Sequence, residues 1–290
     1  MPARITDLLI YTAPFLIVTG VFVFYPLAAN LWYSFYSFSA FDPAMKPVGL
    51  GNYRRLVTDP VILTAFANVG LYAMLSVLVQ VGLGLVLAAI LSQAFLGVWA
   101  KLLRTLFFVP VVMSITVIAF VFSFFYDPFT GLFNTLLQTV GLGRWTHAWL
   151  GESATAIYAV IAVSQWQSVG YVMMLFIVAI QGIPRDLYEA AELDGAGAVA
   201  QFLHITVPQV REMLIVATVV TVVGSITVFS EPYILTGGGP GDASTTLATY
   251  MYRSAFFRDE MGYAAAIAAL IFVVSMLISL LQLRVFGKAR

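Results

Sequence analysis

The chain contains no cysteine, which removes disulfide frameworks, Cys-ligated zinc or iron sites and thiol catalysis. Histidine occurs only at His147 and His204, leaving no nucleus for a His-based metal cluster. Lysine stands only at Lys46, Lys101 and Lys288, and none follows the Gly-x-x-x-x-Gly pattern of a phosphate-cradling loop. The run Gly237-Gly238-Gly239-Pro240-Gly241 resembles such a loop superficially but lacks the lysine and reads as a turn. Charge of either sign is sparse: 14 Lys and Arg against 14 Asp and Glu, 10% of the chain, with net charge zero. An ordinary soluble domain carries about 25% charged residues. Without a basic block, electrostatic capture of nucleic acid or of an anionic substrate finds no support.

What the sequence has instead is apolar surface. Of its 290 residues, 61% are hydrophobic, and the mean hydropathy is +0.95. A charge at the centre of a bilayer costs about 2.5 to 3.5 kcal/mol on insertion scales, so charge-free intervals mark the spans. Intervals long enough to cross, about 18 residues or more, occupy 8–41, 60–100, 105–126, 153–184, 213–230 and 261–283. These predict six membrane helices, at about 8–36, 64–92, 105–126, 155–181, 213–235 and 261–283, within a single transmembrane domain over 1–290. The shorter intervals 128–143 and 195–210 are broken by Pro128, Gly131, Gly141, Gly195, Gly197 and Pro208, and read as interfacial or loop helices. The first apolar run, from Leu8 through Phe24, is longer than a signal-peptide core and leads into an aromatic cluster, Trp32, Tyr33, Phe35 and Tyr36. It reads as an uncleaved helix with an aromatic belt.

An even number of spans puts both termini on one side. With the N-terminus inside, eight cationic residues (Arg4, Lys101, Arg104, Arg185, Arg211, Arg284, Lys288, Arg290) face inward and six (Lys46, Arg54, Arg55, Arg144, Arg253, Arg258) face outward. That small excess favours cytoplasmic termini.

Ion-driven pumps and membrane enzymes keep ionisable groups at mid-membrane. Here Glu231, in Phe229-Ser230-Glu231-Pro232 at the outer end of the fifth span, comes closest. It is either an interface carboxylate or part of a solute pathway. Uncharged polar residues are more numerous. Asn68, Tyr72, Ser76, Gln80 and Gly84 recur every four residues and share one face of the second span. The fourth span adds Ser164, Gln165, Gln167, Ser168 and Tyr171 around Trp166, and the fifth adds Thr218, Thr221 and Ser225. Such a face lines a pathway in which hydroxyl and amide groups replace a polar solute's water, or it holds helices together.

The segment between spans four and five, 184–211, carries the sharpest pattern. Good helix formers run from Leu187 to Leu193, with Pro184 placed for a first turn. Asp194-Gly195 then breaks the helix: Gly permits a left-handed stop, and Asp194 is placed to accept hydrogen bonds from the first amides of a second helix. That helix is predicted to run to about Ile205 and to close at Pro208. The result is a helical hairpin exposing Leu187, Tyr188, Ala191, Phe202 and Ile205 beside carboxylates, suited either to a groove on another protein or to packing as a linker.

Glu189-Ala190-Ala191, Gly195 six residues after the Glu, Ile205 ten after that Gly and Pro208 three further on resemble the EAA signature of permease subunits in binding-protein-dependent ABC importers. The likeness extends along nearly the whole chain. Gly49-Leu50-Gly51-Asn52-Tyr53, Arg104-Thr105-Leu106-Phe107-Phe108-Val109-Pro110, Thr236-Gly237-Gly238-Gly239-Pro240 and Tyr252 through Phe256 are similar to the maltose-type carbohydrate permeases, in particular the first of the two paired permeases. One departure is Glu212, where the family often has a second Pro.

The resemblance implies an all-α integral membrane protein with the type I importer permease architecture and a cytoplasmic coupling hairpin. It implies roles for Glu189 in polar contact, Ala190 and Ala191 in close helix approach, Asp194 and Gly195 in the turn, and Ile205 and Pro208 in anchoring. It further implies a second permease subunit, two ATP-binding cassette ATPase subunits that hold ATP and Mg, and an extracytoplasmic solute-binding protein. This chain itself would carry no cofactor and no enzymatic activity. The location implied is the inner membrane of a bacterium or archaeon. The candidate pathway residues are Asn68, Tyr72, Ser76, Gln80, Gln165, Gln167, Tyr171, Thr221, Ser225 and Glu231. A self-contained facilitator or secondary transporter for a polar solute is the competing expectation.

Overall fold

The computed structural model describes residues 5–42, 44–93 and 97–287, so Arg4, Lys288 and Arg290 of the charge count lie outside the described residues. It is built almost wholly of helices. Among the described residues four helices are long and apolar enough to cross a membrane, and two bent pairs bring the number to six if each pair is one span.

Helix α1 runs through Ile5–Thr19, one π turn at Gly20–Phe24, and Tyr25–Tyr33. None of its membrane-length window, Tyr11–Tyr33, is buried by protein, as expected of a helix that is apolar all round and meets lipid. A two-residue antiparallel ribbon comes next, β1 (Tyr36–Ser37) with β2 (Lys46–Pro47), then α2 (Gly51–Thr58). Helix α3 spans Pro60–Leu91 with a π turn at Val77–Leu83. Helices α4 (Gly97–Val112) and α5 (Ile115–Phe125) are bent by 99° where 105–126 reads as one continuous span. After them come α6 (Leu132–Thr139), the long α7 (Ala156–Gln181), α8 (Arg185–Leu193) and α9 (Ala198–Gln209). Helices α10 (Arg211–Ile226) and α11 (Ser230–Thr236) are separated by a break at 227–229, inside the expected span 213–235. Helices α12 (Leu247–Phe256) and α13 (Met261–Gly287) complete the chain.

Where the sequence reads as one domain, packing divides the chain into two compact units, Met1–Ile62 with Tyr250–Val273, and Leu63–Thr249 with Val274–Arg290. The first is tied together by polar contacts. Asn52 donates to the carbonyls of Ser34 (2.8 Å) and Tyr36 (3.0 Å), and Arg55 grips Glu260 with two 2.8 Å bonds while stacking over the Tyr263 ring. Asp59 caps α3 by accepting the Val61 N–H (2.9 Å) and also accepts the hydroxyls of Tyr250 (2.6 Å) and Tyr263 (2.7 Å).

In the second unit α7 is the central helix. Its buried residues Val172, Met173, Phe176 and Ile177 pack with Val81, Leu85 and Ala88 of α3 and Ala217 of α10. Close approach depends on glycine: a Cβ at Gly170 would collide with the Phe107 carbonyl of α4. The bend between α4 and α5 frees the Met113 carbonyl, and Gln167 on α7 donates to it at 3.3 Å. Irregular backbone at membrane depth needs such a partner because lipid offers none.

These contacts set two glycines apart. Gly170→Ala should destabilise the detergent-solubilised protein by about 1 to 3 kcal/mol, as overpacked sites do. Gly70→Ala, where a Cβ meets nothing within 4 Å, should be neutral or stabilising by about 0.5 to 1 kcal/mol. Thermal unfolding of both variants checks the contrast. At Asp59, partial burial pushes the carboxyl pKa up, but the Tyr250 and Tyr263 hydroxyls, the Val61 N–H and the Arg55 charge outweigh it and hold the value below the usual range. A lowered carboxylate stabilises the fold above its ordinary pKa and loses that contribution as pH falls through the lowered one. Thermal midpoints measured from pH 7 to pH 3 should therefore fall less steeply in Asp59→Asn, and its pH 7 midpoint should lie below that of the wild type.

Candidate functional site

Two places in the second unit hold most of the residues singled out by the sequence. The first is the hairpin. Helix α8 ends in a complete Schellman motif: the Gly195 N–H bonds the Glu192 carbonyl (3.0 Å) and the Ala196 N–H bonds the Ala191 carbonyl (2.8 Å). This requires the left-handed backbone that Gly195 adopts, φ +79°. Asp194 does not cap the second helix, contrary to expectation. It is the exposed residue that ends α8, and α9 starts from Gly197 without a side-chain cap. Gln201 instead folds back to donate to the Ala196 carbonyl (3.1 Å).

The hairpin has an inner and an outer face. The Tyr188 hydroxyl meets Thr206 Oγ1 at 2.9 Å, joining α8 to α9. Tyr188, Phe202, Ile205 and Val207 pack against the core formed by Val172, Met173, Phe176 and Ala217. Three of the side chains expected to be exposed, Tyr188, Phe202 and Ile205, thus turn inward, and Ala191 is half-buried. Phe202 and Ile205 lie in the π turn Phe202–Thr206 of α9, an irregularity invisible to a count of 3.6 residues per turn, and Tyr188 of α8 turns in to meet Thr206. Outward lie Leu187, Glu189, Ala190, Glu192 and Leu193, the last 91% exposed. Val199 and Leu203 extend this apolar edge along α9. Pro208 sits just before a 73° bend into α10, at Val210, whose side chain is buried in the core.

The second place is a cavity of about 260 Å³ walled by α3, α7, α10 and α11. Tyr72 and Gln80 reach it from α3, Ser164, Ser168 and Tyr171 from α7, Thr221 and Ser225 from α10, and Glu231 from the first turn of α11. Val172, Leu175, Val220 and Val228 supply apolar wall. Hydroxyl and amide groups over an apolar lining are the mixture that orients a polar solute.

Of the ten candidate pathway residues, six line this cavity: Tyr72, Gln80, Tyr171, Thr221, Ser225 and Glu231. Four serve elsewhere. Asn68 donates to the carbonyls of Ala243 and Thr245, both at 2.9 Å, and so ties α3 to the glycine-rich segment. Gln165 donates to Ser76 Oγ at 3.0 Å, a buried bond between α7 and α3. Gln167 serves the Met113 carbonyl. Gly224 was missed; a Cβ there would meet nothing within 4 Å, and it leaves the α10 wall open. Its neighbours Thr221 and Ser225 were the available signal.

Comparison with known proteins places the chain. Residues 80–289 match the family model for the binding-protein-dependent transport system inner membrane component. The probable ABC transporter permease YurN of Bacillus subtilis is 52% identical over 270 residues, covering 93% of this chain and 92% of that protein. The trehalose/maltose transport permease MalF of Thermococcus litoralis is 31% identical, covering 96% and 92%. The arabinooligosaccharide transport permease AraP of Bacillus subtilis is 29% identical over 96% of this chain and 88% of its own. A chain from the crystal structure of a bacterial ABC transporter that imports the acidic polysaccharide alginate superposes with a TM-score of 0.84, covering 98% of this chain and 96% of that one. At 23% identity that likeness bears on fold. With a family match over most of its length, a helical fold shared with an importer permease and multiple membrane-spanning helices, the chain belongs to the inner-membrane components of binding-protein-dependent transport systems, the permease subunits of ABC importers.

Proposed function

We propose that the chain forms half of the translocation pathway for a carbohydrate or a related polar solute, delivered by an extracytoplasmic binding protein and driven by ATPase subunits that dock on the α8–α9 hairpin. The observation that carries the reading is the two-faced hairpin. Its outer face presents Leu187, Leu193, Val199 and Leu203 beside Glu189 and Glu192, an amphipathic knob of the kind that fills a groove on a partner. Its inner face reaches Val172 and Ala217, which also line the cavity. Force applied to the knob is therefore transmitted to the cavity wall through close-packed side chains that yield little.

Docking of an ATPase places the hairpin, and with it both termini, on the cytoplasmic side, in keeping with the eight-to-six excess of inward cationic residues. ATP and Mg belong to the ATPase pair, and a second permease subunit closes the pathway. ATP-driven approach of the two ATPases would draw the hairpins of both permeases together and open the cavity outward; hydrolysis would reset it inward, as two packings of rigid elements exchanged by differential binding. A carbohydrate is supported by the hydroxyl and amide lining and by relatives whose names record transport of trehalose, maltose and arabinooligosaccharides.

The test uses the assembled transporter in proteoliposomes with its binding protein. Glu189→Arg and Gly195→Val, the second forcing a β-branched residue into φ +79°, should each lower solute uptake and solute-stimulated ATP hydrolysis at least about tenfold, equivalent to about 1.4 kcal/mol of lost coupling. The permease should still insert into the membrane. Full transport by both variants, or uptake by this chain without ATPase subunits, would contradict the reading.

A further inference from the structure

Glu231 carries the one carboxyl group on the described cavity wall. Among the described lining residues there is no Lys, Arg or His to balance it, and its polar neighbours are Ser164 and Tyr72. The carboxylate is half-buried in a span-forming part of the chain, where an acidic group without a cationic partner is costly and marks function. Its place in the first turn of the short α11 gives it the favourable end of a helix dipole, a small return against desolvation. A second observation points into the same space. Tyr72 is 2% exposed and lines the cavity, and its hydroxyl has Ser164 beside it but no partner in full hydrogen-bond geometry. A buried hydroxyl without a well-placed partner is costly, and a ligand can recover that cost.

The two groups ask for different things. The Tyr72 hydroxyl, with Ser168 and Gln80 on the same wall, suits the hydroxyls of a polyol. The Glu231 carboxylate is satisfied most fully by a cation, because a charge-assisted N–H bond is shorter and about twice as strong as a neutral one. We infer that this cavity selects a hydroxylated solute bearing a protonated amine, with the ammonium seated on Glu231 and a ring hydroxyl on Tyr72, and that it rejects solutes carrying a carboxylate or other anion there. The inference rests on the permease reading above and names the solute class of the same pathway. The residue acts in specificity: attraction for one solute and repulsion of its anionic counterpart come from the same charge.

The experiment measures equilibrium binding to the complete transporter, both permeases and the ATPases, in nanodiscs without binding protein, so that only the transmembrane cavity discriminates. Radiolabelled D-glucosamine, D-glucose and D-glucuronate are the probes, one ring with positive, zero and negative charge. Wild type should bind glucosamine at least about tenfold more tightly than glucuronate, with glucose between. In Glu231→Gln the preference should shrink to about twofold or less, and Glu231→Asp, which keeps the charge, should retain the order. Three results would overturn the inference: an unchanged preference in Glu231→Gln, glucuronate bound as tightly as glucosamine by wild type, or no glucosamine bound by wild type. Charge-blind sugar binding would refute this inference while leaving the permease reading intact, which falls only if the hairpin variants transport normally.

Discussion

The hydrocarbon interior offers no hydrogen bonds, and every polar group placed there must find its partner within the protein. The structure is organised around that constraint. Backbone breaks occur where a side chain can serve them, as Gln167 serves the Met113 carbonyl. Buried amides are paired across helices, Gln165 to Ser76 and Asn68 to two carbonyls of the glycine-rich segment. Charges gather at the ends of spans, as in the Arg55–Glu260 pair and the Asp59 cap. What departs from the rule is thereby conspicuous: a carboxyl group with no cation among the described lining residues and a buried tyrosine hydroxyl without full hydrogen-bond geometry, both on one cavity.

The same constraint explains how work reaches that cavity. On the proposed reading, the drive comes from ATPase subunits outside the bilayer. The α8–α9 hairpin has the connections that such a transfer would use. Its turn is held by a Schellman motif, its two helices are joined by Tyr188 and Thr206, and its inner face is continuous with the core through Phe202, Ile205 and Val210. The 73° bend at Val210 makes α9 and α10 a cranked unit, one arm in the hairpin and the other carrying Thr221 and Ser225 on the cavity wall.

Much of this was legible in the residues. Charge-free intervals locate the apolar helices because the cost of a buried charge is local and large, and Pro184, Gly195 and Pro208 punctuate the hairpin through their backbone geometry alone. The limits of legibility have physical causes too. Asn68, Tyr72, Ser76 and Gln80 form one stripe, yet only Tyr72 and Gln80 reach the cavity, since the role of a polar face depends on the helix opposite it. The π turns at Val77–Leu83 and Phe202–Thr206 depart from the regular helical count, and at the hairpin Tyr188, Phe202 and Ile205 are core contacts where surface was expected, because tertiary packing decides which face is covered. The bend between α4 and α5 falls between Pro110 and the N-cap Ser114, and the carbonyl of Met113 there finds its partner in Gln167, a tertiary contact no local pattern announces.

The central claim is that the outer face of the hairpin is a cytoplasmic docking surface for the ATPase. The absence of native cysteine makes one measurement direct: a single Leu193→Cys, at the most exposed apolar position of the hairpin, labelled with a membrane-impermeant maleimide. The account predicts labelling in inside-out vesicles stripped of ATPase subunits, protection when those subunits are bound, and none in right-side-out vesicles. Labelling from the outside, or equal labelling with and without the ATPase, would contradict it.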